Sequence, residues 1–221
     1  MSSAKPRKLH RKLFVIGDSI SLHYGPYLEQ MLGGYFSYAR KNGEESALRD
    51  LDLAQGANGG DSSMVLAYLT AMQRSGGLSA DVVLLNCGLH DIKTDLITKH
   101  RQVSPEDYRR HLEEIVPLVT SRGATLIWIR TTPCDEAVHN TANAKFHRFA
   151  TDGVAYNEIA DRIMSTAGIP SIDLYEFTKA LGPNPYCDHV HFTPAIRQAQ
   201  AAFIAGWLIA WARPNTPVLP V

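Results

Sequence analysis

Hydrophobic positions along this chain fall into short continuous runs separated by longer segments with a helical period. Leu13 to Ile16, Val82 to Leu85 and Thr125 to Ile129 are such runs, rich in apolar and β-branched residues. A strand wetted on one face alternates polar and apolar residues, so these runs predict strands covered on both faces. Ile169 to Leu174 is a more mixed run read as a fourth strand. A further strand is expected within Tyr35 to Ala54, where the charged stretch Lys41 to Asp52 blurs its limits. Helical patterns occupy Tyr24 to Leu32, Ser62 to Met72, Pro105 to Val119, Phe146 to Ala167 and Pro194 to Trp211. Ser104, Pro105 and Glu106 supply a cap and a first turn for the third of these. Pro117 is expected to end or kink it early. Val154, Ile159 and Ile163 are expected to form the apolar face of the next helix.

Alternation of strand and helix predicts an α/β fold with a parallel sheet, right-handed crossovers and helices on both faces. In such sheets the ligand crevice lies beyond the carboxyl ends of the strands. Polar residues follow each of the three clearest runs: Gly17-Asp18-Ser19, then Gly88-Leu89-His90-Asp91, then Thr131-Thr132-Pro133. Gly59-Gly60-Asp61-Ser62 opens a helix on the same rim, and Asp188-His189-Val190-His191 opens the last helix. The reactive residue types therefore gather on one edge of the sheet.

A serine hydroxyl is a poor nucleophile near neutral pH and needs a general base, itself held in the useful tautomer by a third group. Ser19, His191 and Asp188 can fill these roles. Residues three apart share one side of a helical turn, so the spacing to Asp188 favours His191 over His189 as the base and leaves His189 at the rim. Taken alone, Ser19 also reads as a turn residue capping the following helix, and Asp18 as a stabiliser of that turn. Gly59 and Gly60 form a flexible turn or, lacking Cβ, let the backbone approach a substrate and present an N–H. Asp91 anchors the loop carrying His90 or caps a helix. Cys87, at a strand end, reads as a small core residue. Cys187 adjoins the catalytic segment, but no thiolate-stabilising cluster surrounds it. His90, Asp188, His189 and His191 are zinc-binding types without paired ligand spacing, so no metal and no cofactor are expected.

The 221 residues are read as one domain over residues 13–212, with a basic tail at 1–12 and an extended, proline-bearing tail at 213–221. Lys plus Arg and Asp plus Glu both total 22. With no global field to attract polyanions, neither nucleic acid nor a membrane is an expected partner, and a small-molecule or oligosaccharide ester is. Three cysteines without metal-ligand spacing fit thiols kept reduced. The apolar run after the basic tail is too short for a signal-peptide core, and no stretch approaches transmembrane length, so a cytoplasmic location is expected.

Taken in order, these segments resemble the SGNH (GDSL) hydrolase family. Gly17-Asp18-Ser19 is similar to its first block, Gly60 to its glycine block, Gly88-Leu89-His90-Asp91 to Gly-x-Asn-Asp, and Asp188 to His191 to Asp-x-x-His. The resemblance spans nearly the whole chain. It implies a flavodoxin-like three-layer α/β/α sandwich with about five parallel strands. It also implies ester hydrolysis through an acyl-enzyme on Ser19, with an oxyanion hole built from Ser19, Gly60 and the third block. One position departs: His90 stands where the family has Asn. A neutral imidazole still donates through one nitrogen and a protonated one adds charge, so His90 is expected to replace the amide and to leave room for altered pH dependence. Asn58, Asp61, Thr132 and Asn157, with Lys93, Arg130 and Thr131, are the expected polar rim, and no apolar lid is evident. These features and the resemblance point to removal of O-acetyl groups from a carbohydrate. An acyltransferase, a short-chain lipase or thioesterase of the same fold, and a non-catalytic carbohydrate-binding descendant stay open. Retention of Ser19, Asp188 and His191 together argues against the binder.

Overall fold

The continuous apolar runs lie side by side in one parallel sheet. The computed structural model describes residues 11–142 and 145–213; of the tails expected at 1–12 and 213–221, residues 1–10 and 214–221 lie outside these. Strand β1 (Arg11–Ile16) sits between β2 (Phe36–Arg40) and β3 (Val82–Leu85); β5 (Thr125–Ile129) and β7 (Ser171–Ile172) complete the order β2-β1-β3-β5-β7. Val15, Leu84 and Ile127 stand level across the three central strands. All four residues of β3 are buried, as a strand covered on both faces requires. Each such Val or Leu contributes roughly 1.5–3 kcal/mol relative to exposure.

Helices flank the sheet. Helix α1 (Ser19–Leu32) packs along α8 (Pro194–Ala212), which also meets α7 (Leu174–Lys179). A second group joins α3 (Ser62–Arg74), α4 (Pro105–Thr120) and α6 (Ala150–Thr166). Short helices α2 (Glu44–Arg49) and α5 (Glu136–Ala142) lie in connections, and β4 (Thr94–Asp95) pairs antiparallel with β6 (Phe146–His147). No helix among the described residues is long and apolar enough to cross a membrane.

Several boundaries differ from the sequence reading. Strand β1 starts at Arg11, inside the expected tail, because its edges pair with β2 from Phe36 onward. Helix α1 begins at Ser19 rather than Tyr24, with Asp18 as its cap. The mixed run at Ile169 to Leu174 shrinks to a two-residue strand because Asp173 caps α7. Pro117 neither ends nor breaks α4, which continues to Thr120. The proline is exposed, so the carbonyl it leaves unpaired faces water, while Ile115 and Val119 anchor either side of it. Helix α6 starts at Ala150 and buries Tyr156, Ala160 and Met164, one helical turn apart. Val154 is exposed and Ile159 and Ile163 are half-buried, since the inward stripe uses a tyrosine and an alanine that a search for aliphatic residues passes over.

Candidate active site

The turn after β1 delivers Ser19 to the carboxyl edge of the sheet. Asp18 Oδ1 accepts the Ile20 N–H at 3.0 Å and so caps α1, leaving Ser19 as the first helical residue. Ser19 N–H donates to no group among the described residues. Its hydroxyl instead meets a residue 172 positions away, His191 Nε2, at 2.8 Å. His191 Nδ1 lies 2.7 Å from Asp188 Oδ2. The fold therefore links Ser19, His191 and Asp188 in an unbroken row.

Asp188 and His191 meet without a helix between them. Asp188 Oδ1 accepts the N–H groups of Val190 at 2.8 Å and His191 at 2.7 Å, so the carboxylate folds its own loop and aims the second oxygen at the imidazole. Burial pushes the Asp188 carboxyl up, but the two N–H donors and the imidazole outweigh it and hold the group at about 2. For His191, burial outweighs the pull of Asp188 and moves the ring below the ordinary histidine value. An ionised carboxylate facing Nδ1 and a neutral ring set the proton on Nδ1 and free Nε2 to accept from Ser19. His23 packs edge-on to the same ring with centroids 5.1 Å apart, and its burial drives it to about 4, so it adds no charge beside the base.

His90 is buried beside this row. Burial, then the cations Lys93 and Arg148 and finally His191, push it well below the ordinary value, so it is neutral. Its Nδ1 is buried without a partner. Gly60 has φ +73, and a Cβ there would lie 2.6 Å from Met64 Sδ, which accounts for the glycine. Its N–H already donates to Asn58 Oδ1 at 3.0 Å.

The expected polar rim faces inward instead. Asn58 donates to the Leu51 and Leu53 carbonyls, and Asn157 accepts the Thr131 N–H at 2.8 Å and donates to the Thr131 carbonyl at 2.9 Å. Both amides brace loops through the oxygen and the nitrogen of the side chain. Asp61 caps α3 and accepts from Ser63 and Gln102, and Thr132 is buried with Oγ1 unpartnered. Arg130 is paired with Asp161 and Asp173, and the Thr131 hydroxyl donates to the Cys87 carbonyl. Lys93 Nζ donates to the Asp52 carbonyl and lies over the Phe146 ring. His189 is not idle at the rim: its Nδ1 meets His139 Nδ1 at 2.8 Å and its Nε2 lies 3.3 Å from Asp52. A cleft of about 480 Å³ opens beside Asp188 and His189, with Val138, Tyr186 and Cys187 among its walls. Two residues escaped the sequence reading. Arg148 Nε donates to the Leu89 carbonyl at 2.7 Å, directly before His90, and Asn86 Nδ2 ties the Ile129 carbonyl to Thr131. Arg148 fell in a stretch read as helix, and Asn86 carries no motif.

Among the described residues, no group of three or more His, Cys, Asp or Glu side chains is placed to hold a metal ion.

Comparison with solved structures finds the same fold at low identity. A lipase/acylhydrolase from Enterococcus faecalis superposes with a TM-score of 0.69 at 17% identity, covering 93% of this chain and 99% of the other. A carbohydrate acetylesterase from Sinorhizobium meliloti gives 0.62 at 14%, covering 91% and 99%. An aryl esterase from M. smegmatis gives 0.62 at 15%, covering 90% and 99%. No curated protein sequence matches. The profile of the GDSL-like lipase/acylhydrolase family matches residues 15–199, a stretch that begins within β1, ends within α8 and takes in Ser19, Gly60, His90, Asp188 and His191. The chain belongs to the GDSL-like lipase/acylhydrolase family.

Proposed function

We propose that this chain hydrolyses carboxylic esters through an acyl-enzyme on Ser19, and that its substrate is an O-acetylated carbohydrate. The observation that carries the first part is the row from Ser19 Oγ to His191 Nε2 and from His191 Nδ1 to Asp188 Oδ2, with contacts of 2.8 and 2.7 Å. His191 takes the Ser19 proton as the oxygen attacks the ester carbonyl, then returns it to the departing alcohol; water repeats the cycle and releases the acid. Asp188 holds the ring and stabilises the imidazolium formed on the way.

The oxyanion is met by the unengaged Ser19 N–H and by His90. An unpaired buried acceptor is better tolerated than an unpaired donor, so the His90 proton resides on Nε2 and Nδ1 carries the lone pair. Gly60 N–H, held by Asn58 Oδ1 at rest, joins as a shared donor. For the substrate, support comes from the cleft beside Asp188, whose volume of about 480 Å³ suits a sugar-sized group, and from the acetylesterase among the structural neighbours.

Rates across p-nitrophenyl esters of increasing chain length, set beside acetylated oligosaccharides, test both parts. Acetate is expected to be the best acyl group. A preference for butyrate or longer chains overturns the acetylesterase assignment.

A further inference from the structure

We propose that Arg148 and Lys93 form an anion-binding subsite beside His90, and that the ester this chain acts on carries a carboxylate. The inference rests on the esterase reading above.

Arg148 is 2% exposed, yet its guanidinium has no carboxylate partner among the described residues. Arg40, Arg101 and Arg130 each have one, at 3.9, 2.6 and 2.8 Å. Arg148 instead meets a backbone carbonyl at Leu89, the Nδ1 of His139 at 3.4 Å and the Phe146 ring at 4.9 Å, and Nη2 finds no acceptor among the described residues. Lys93 Nζ shares that ring at 4.5 Å, and its hydrogen bond among the described residues goes to a backbone group, the Asp52 carbonyl at 2.9 Å. The two cations meet at the Phe146 ring, and burial first and Arg148 second pull Lys93 down to about 8. The Asp52 carboxylate sits against His189 at 3.3 Å and, like Asp18, acts on both cations only from beyond contact, as Asp61 does on Lys93.

A buried cation without an anion is an expensive arrangement, and a second cation beside it adds repulsion. A ligand carboxylate relieves both, and the planar guanidinium fork matches its geometry. Position ties the subsite to catalysis: Arg148 grips the peptide preceding His90, and both cations act electrostatically on the His90 ring. An ester carbonyl at Ser19 and His90 thus lies against the loop that Arg148 holds.

The test compares each anionic ester with a neutral partner. 4-Acetoxybenzoate and its methyl ester place the charge on the alcohol side; mono-4-nitrophenyl succinate and 4-nitrophenyl butyrate place it on the acyl side. The wild-type chain is expected to favour one anionic ester by about tenfold or more in kcat/KM, identifying the side, and this ratio is expected to collapse toward one in Lys93→Met and in Arg148→Met. Reading the ratio within each protein removes any general loss of activity, and Lys93→Met serves if Arg148→Met does not fold. Calorimetry with 4-hydroxybenzoate and 4-hydroxybenzyl alcohol reads the subsite without turnover; the anion is expected to bind and Lys93→Met to weaken it at least about tenfold. Hydrolysis of the neutral esters with ratios near one on both sides overturns the subsite and spares the esterase reading. No hydrolysis, with selective anion binding, overturns the esterase reading and spares the subsite.

Discussion

Ser19 and Ser62 each meet a histidine nitrogen, at 2.8 and 2.9 Å, and each has an aspartate close by. The two groupings share residue types and differ in the order of contact. At Ser19 the carboxylate touches the far nitrogen of the imidazole, so it fixes the tautomer and leaves Nε2 for the hydroxyl. At Ser62 the carboxylate of Asp91 accepts the serine's own N–H at 2.9 Å and makes no hydrogen bond to His111. The carboxyls differ as well: Asp188 is held at about 2 and is charged, while burial pushes Asp91 up to about 8. Ser62 is fully buried and opens α3, so its grouping braces a helix end against the loop carrying His90. Connectivity and charge separate the two groupings; composition does not.

The largest effect should fall on the two serines. Ser19→Ala is expected to lower kcat by roughly 10⁴- to 10⁶-fold and to abolish labelling by an organophosphate, whereas Ser62→Ala leaves labelling intact and shifts chiefly thermal stability. Equal losses of activity would break the comparison. Next come the aspartates. Asp188→Asn is expected to cost about 10⁴-fold in kcat by allowing the wrong imidazole tautomer, while Asp91→Asn keeps the acceptor for Ser62 N–H and most of the activity. The pH profile of wild-type kcat/KM should fall on the acid side with an apparent pKa below that of free histidine, because the base must be neutral and His191 is shifted down.

His90 sharpens the contrast further, since it serves only the first serine. His90→Ala is expected to lose on the order of a hundredfold in kcat, and His90→Asn to keep most activity. Near-wild-type rates for both remove His90 from the oxyanion hole. The smallest effect concerns stability. An Asp raised to about 8 supports the fold fully below the ordinary value of 3.8 and withdraws that support as pH climbs from there to 8, a range in which the unfolded chain is ionised and the folded one is not. Asp91→Asn removes the ionisation, so its melting temperature relative to wild type should rise by a few degrees between pH 5 and pH 8.

Much of the sheet was legible because β1, β3 and β5 are buried on both faces and leave continuous apolar runs. Ser19, Asp188 and His191 were legible because each sits where an element begins or just before it, within a compact motif. The inward turn of Asn58 and Asn157 was not, since polarity marks a residue as hydrogen-bonding and says nothing of whether its partner is a substrate or the carbonyl of Leu51 or Thr131. Arg148 was hidden for a related reason. What marks it is the lack of a carboxylate partner among the described residues, which shows only once the chain is folded. Strands β4 and β6, two residues each, are too short for any period to register.

The packing of α1 along α8 gives the site a timing. Ser19 begins α1 and His191 closes the loop into α8, so the proposed nucleophile is synthesised 172 residues before its proposed base. Contacts of such long range form late in folding, after the loop between them has closed. A chain still emerging from the ribosome therefore carries Ser19 before His191 exists to meet it, and on the proposed mechanism reactivity arrives only when α8 docks on α1.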